Sequence, residues 1–241
     1  MNVKKSAFTV LAAAAIFSAR PADGAILNGG FETGTLASWS TVGDTSVVTS
    51  AFGSGPTGGA FEALVQGGGA AATVPSLEAF LGAPGGSLNA LGNGITHGGS
   101  AIKQTFTATA GQTLKFNWNF ITDETPPSIF DDFGFWSLSS LSTLATANQS
   151  GLIPLGALLQ TGFKQTSLVL PTTGTYTLVL GAANVSDTGG LPQLLVDDVT
   201  LTSSVPEPAY GPGIAVVLVV GLLVIRRKGF PLASETGRLS D

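Results

Sequence analysis

Leu114, Phe116, Trp118 and Phe120 alternate with Lys115, Asn117 and Asn119. Side chains of an extended chain point to opposite faces in turn, so this run predicts a strand with one face buried; a helix would scatter the same residues around its axis. No other feature constrains the fold so tightly. Tyr176, Leu178 and Leu180 repeat the pattern with Thr175 and Thr177, after a turn signal at 171–174. Further strand candidates are 25–31, 39–49, 61–66, 101–108, 133–139, 163–170 and 194–202, separated by glycine and proline clusters such as 53–59 and 83–86. Only 75–81 and 152–159 suit short helices. Eight or nine short strands between turns predict an all-β fold, an antiparallel β-sandwich of the jelly-roll kind.

Composition excludes several functions. The 241 residues contain no cysteine, so there is no disulfide framework, thiolate metal site or cysteine nucleophile. His97 is the sole histidine, which rules out a two-histidine metal site. The net charge of −5 argues against nucleic acid as a partner, because phosphate binding needs a basic face.

The two ends are address labels. Lys4 and Lys5, an apolar run over 7–17, and small residues Ala22 and Gly24 predict a secretory signal peptide over 1–24. At the other end, Val205-Pro206-Glu207-Pro208 precedes an apolar segment, 213–225, closed by Arg226, Arg227 and Lys228. Basic residues stay on the cytoplasmic side, so residues 25–204 are expected outside that membrane. This middle part has three lysines, no arginine and eleven acids, a net charge of −8.

The tail resembles the PEP-CTERM sorting signal of Gram-negative bacteria, with its proline–glutamate motif, short helix and basic cluster over 205–228. The resemblance implies export across the inner membrane and recognition by an exosortase-type membrane protease. A C-terminal anchor in the membrane through 213–225 would precede release to the cell surface or extracellular matrix. The family's chains usually end after the basic cluster, whereas here a cytoplasmic tail, 229–241, continues. An ordinary membrane anchor is the alternative.

A second resemblance is local. Leu27-Asn28-Gly29-Gly30-Phe31-Glu32 with Leu36 to Trp39 is similar to the opening strand of galactose-binding-like, carbohydrate-binding-type jelly rolls. Val196-Asp197-Asp198-Val199-Thr200-Leu201 is similar to their closing strand. The resemblance implies that Glu32 meets Asp197 and Asp198, and that such carboxylates hold a structural calcium ion (Ca2+). A hard cation takes six to eight oxygen ligands, so the residue types suit it. Strand-end acids in water are the alternative. A second acidic group, Asp123 and Glu124 with Asp131 and Asp132, reads as a solvated loop rather than a metal site.

Trp118 shares its face with the apolar residues of its run and is expected in the core. Trp136 is opposite in parity to Phe133 and Phe135, which makes it the tryptophan to examine for ligand contact. No G-x-S-x-G motif or phosphate loop occurs, and His97 sits in a glycine-rich loop without a nucleophile framed beside it. The sequence therefore predicts a non-enzymatic exported surface or matrix protein. The alternative is a carbohydrate-binding module contacting exopolysaccharide.

Overall fold

The alternating run lies within a ten-residue strand inside one of two antiparallel sheets. The computed structural model describes residues 24–187 and 189–203. The signal peptide up to residue 23, the sorting segment 205–228 and the tail 229–241 lie outside the described residues. Among the described residues no helix is long and apolar enough to cross a membrane.

In chain order the strands are β1 (Ser40–Val42), β2 (Asp44–Val48), β3 (Glu62–Gln66) and β4 (Ala72–Thr73), followed by helix α1 (Val74–Leu81). Then come β5 (Thr96–Ala108), β6 (Thr113–Thr122), β7 (Phe133–Ser137), β8 (Leu141–Thr146), β9 (Ile153–Leu155) and β10 (Leu158–Gln160). The last are β11 (Lys164–Val169), β12 (Gly174–Val185) and β13 (Gln193–Thr202). One sheet runs β1-β5-β12-β7-β8, with β4 also on β5; the other runs β2-β3-β13-β6-β10-β9, with β11 also on β6. All the pairings are antiparallel.

The inner faces meet in the main core, where Phe116, Trp118 and Phe120 of β6 pack with Ile102, Phe106, Leu178 and Leu180 from the facing sheet. Both outer faces are also partly covered. Helix α1 and the turn after it bury Phe133, Phe135, Val179 and Val185. On the other sheet, Leu155 and Leu158 of the β9–β10 hairpin, with Phe52, pack on Leu64, Ile121 and Leu195. A strand buried on both faces has no reason to alternate, which explains the continuous burial of the second half of β12.

Three expectations are corrected. Residues 25–31 form no strand, and 27–30 are a turn. Asn28 takes φ +50° and Phe31 φ +55°, and Asn28 Nδ2 donates to Thr35 O and Ala37 O. Such local side-chain bonds compete with strand pairing. The helix expected at 152–159 is the β9–β10 hairpin around Gly156, at φ +60°, because its leucines are needed on the outer sheet face. The strand expected at 39–49 is split at Gly43, where φ is +76° and the chain passes from one sheet to the other. The helix expected over 75–81 is present, with Pro75 in its first turn and Gly82 as a left-handed cap.

Candidate functional site

Two constellations of acids emerge from this frame. The first joins the chain's opening and closing segments. Between Asp197 and Thr200 the pairing of β13 with β6 shifts register, with Asp198 at φ +51°. The bulge frees Val199 N–H to donate to Gly29 O at 2.9 Å. Glu32, Asp197 and Asp198 are thereby brought to the loop between β2 and β3. Asp197 Oδ2 accepts from Thr57 N, Thr57 Oγ1 and Gly58 N at 2.8, 2.9 and 3.0 Å. The one Thr57 hydroxyl proton is shared with Asp198 Oδ2, 2.7 Å away, which also accepts from Asn117 Nδ2; Glu32 Oε1 accepts from Ala60 N and Phe61 N.

Glycine is required at position 59 of this loop. A Cβ at Gly59, where φ is +64°, would strike the Glu32 carboxyl, and one at Gly58 would press on the Asp198 carboxyl. The loop's own donors already bond these carboxylates, so a cation there would share their oxygens with Thr57, Gly58, Ala60 and Phe61. Burial raises the Asp197 carboxyl above its ordinary range, opposed by the Gly58 and Asp198 N–H groups and the Thr57 hydroxyl. Beside it Glu62 is completely buried with both carboxyl oxygens unpartnered. Burial first, and then the charge of Asp197, push Glu62 up to about 8.

The second constellation lies at one end of the sandwich. There β3, β6 and β12 end while β5, β7 and β13 begin, as the pairs Gln66–Gln193, Ile121–Gln193, Ala183–Phe133 and Val185–Thr96 show. Asp123, Glu124 and Asp132 each place a carboxylate oxygen within 4.8 Å of the other two. Among the described residues no other group of three or more metal-ligating side chains is so close. Asp132 is fully buried; its Oδ1 accepts from Val185 N at 2.7 Å, and its Oδ2 is unpartnered. Burial lifts Asp132 to about 7, against the lowering bond from Val185, and the charges of Glu124, Asp123 and Asp187 add to the rise.

Sequence reasoning takes this group as a solvated loop. The structure instead buries Asp132 where the chain enters β7, while Asp131 stays at the surface and accepts from Asn148 N. The signal available was the abutment of Asp132 on the apolar entry Phe133-Gly134-Phe135.

At the same end a cleft of about 200 Å³ is lined by Gly67, Gly68, Gly69, Thr73, His97, Gly98 and Asn184, among others. Gly69, Thr73 and His97 are exposed there, Gly67, Gly68, Gly98 and Asn184 are buried, and no carboxylate lines the cleft. Trp136, by contrast, turns into the sandwich. Its ring lies 5.6 Å from that of Phe116, centroid to centroid, and it packs on the main core. Its parity differs from that of Phe135 as expected, but Phe135 faces α1 and Trp136 faces the interior, so the outward presentation is corrected.

No protein-family model and no curated protein matches the chain. Among solved structures, the chain is similar to TmCBM61 in complex with β-1,4-galactotriose, at 14% identity over 74% of this chain and 97% of that one, with a TM-score of 0.41. It is also similar to the K1 cleaved adhesin domain of Lys-gingipain from Porphyromonas gingivalis W83, at 13% identity over 73% and 96%, with a TM-score of 0.40. A third is a structure of carbohydrate-binding modules from the β-sandwich superfamily, at 12% identity over 73% and 61%, with a TM-score of 0.37. The sandwich described above rests on the chain's own strand pairing.

Proposed function

We propose that the domain is a non-catalytic carbohydrate-binding module of an exported protein, with a neutral glycan such as exopolysaccharide as its partner. The cleft beside His97 carries this reading. Binding sites for small polar molecules combine a shaped concavity with a few fixed polar groups. Here the Thr73 hydroxyl and the flat His97 ring, set beside Gly69 main chain, supply that mixture. In a domain of net charge −8, an uncharged lining suits a ligand without ionic groups. Glycoside hydrolysis usually needs two carboxyl groups flanking the sugar, and this lining contains none.

The sorting tail belongs to the same proposal. Residues 205–228 are the address read by an exosortase-type protease, and the module then acts at the cell surface or in the matrix. A glycan array probed with the full chain tests the binding reading. Saturable binding to neutral glycans, lost in His97→Ala, is expected; the absence of binding, or binding unaffected by that substitution, refutes the cleft.

A further inference from the structure

We propose that Asp123, Glu124 and Asp132 bind a calcium ion that ties the start of the β6–β7 loop to its end. Three anionic side chains converge while one of them, Asp132, is fully buried with Oδ2 lacking any partner. A buried carboxylate oxygen without a donor is costly to ionise, and a neighbouring cation removes that cost. Asp187 adds a further negative charge close enough to act on Asp132. Among the described residues no lysine or arginine is bonded to any of these acids, and the domain has only three lysines in all.

The all-oxygen donor set suits a hard cation such as Ca2+. Its ligand oxygens lie at ~2.3–2.6 Å from the ion, so opposite ligands stand up to ~5 Å apart, and the three carboxylates, within 4.8 Å of one another, fall inside that span. The surrounding hydrogen bonds already pre-position the ligands. Leu191 N donates to Asp123 Oδ1 at 2.9 Å, Ser128 Oγ donates to Glu124 Oε2 at 2.6 Å, and Val185 N holds Asp132 Oδ1. Gly190 is needed beside them, since a Cβ there would lie 2.6 Å from Asp132 Oδ2. Asn184, next to Val185 on β12, likewise keeps a buried Oδ1 without a partner. A protein without disulfides gains a clamp across the β6–β7 loop this way.

The test is calorimetric titration of the full chain with Ca2+, paired with thermal unfolding with and without the ion. Wild type should bind one Ca2+ and melt several degrees higher with it. The paired substitution Asp123→Asn with Glu124→Gln leaves buried Asp132 in place and should lose both responses, while Glu32→Gln should keep them. A wild type silent up to about 10 mM Ca2+, well above the ~0.1–1 mM range of extracellular sites, overturns the proposal. So does a response that survives the paired substitution, or one that Glu32→Gln alone removes.

Discussion

Thr57 donates twice to Asp197 Oδ2, through its main-chain N–H at 2.8 Å and its hydroxyl at 2.9 Å, across 140 residues of sequence. The contact closes the β2–β3 loop over the end of the chain. Asp197→Ala should cost about 1–3 kcal/mol, because it leaves Thr57 and Gly58 donors without their acceptor. Denaturant unfolding of the full chain measures this. Thr57→Val, which keeps the main-chain bond, should cost less.

Gly59 gives a sharper check on the same loop. Gly59→Ala forces a side chain into a left-handed backbone and against the Glu32 carboxyl, so a loss of about 1–3 kcal/mol is expected. Glu32→Ala removes the collision but also the acceptor of Ala60 N and Phe61 N, so the double variant should lose less than the sum of the two single losses. Strictly additive losses contradict the packing described.

Glu62 sets a pH dependence. Its folded-state value of about 8 lies above its ordinary 4.5, so the folded protein holds a proton that the unfolded chain releases between those limits. The stability it contributes is fully present below about pH 4.5 and is lost as pH rises through about 8. Melting temperature should therefore fall from pH 5 to pH 9, and Glu62→Gln should flatten that fall. At roughly 2–4 °C per kcal/mol for a domain of this size, the difference is measurable by calorimetry.

Trp136→Ala should behave as a core substitution. With the ring packed on Phe116 between the sheets, its removal is expected to destabilise the domain by about 2–4 kcal/mol. Glycan binding below the lowered melting temperature should be unchanged.

The sorting reading has its own measurement. Mass spectrometry of the mature exported protein should find a C-terminus near residues 205–208. Retention of Arg226, Arg227 and Lys228 would indicate a simple anchor instead.

The legible parts of this fold were those where one face is buried. The run at 114–120 alternates because β6 faces the core on one side and bears Asn117 and Asn119 on the other, so its strand could be read directly. The resemblance at the domain's two edges pointed to Glu32, Asp197 and Asp198, which the β2–β3 loop binds separately, Glu32 through Ala60 and Phe61 and the aspartates through Thr57 and Gly58. What escaped depends on tertiary cover. Leu155 and Leu158 read as a helix because their partners, Leu64, Ile121 and Leu195, are distant in sequence. Trp136 read as outward because parity separates two faces without saying which is covered. The cleft at His97 depends on loops from separate strands converging, and no local pattern encodes that.

Glycan binding at the His97 cleft is the central claim, and the sole histidine is its natural reporter. Its two imidazole C–H signals in the proton NMR spectrum of the full chain carry no overlap from other histidines. Titration with neutral oligosaccharides identified on the array should shift both signals saturably, with the affinity found by direct binding. Saturable binding that leaves the His97 signals unmoved would contradict the account.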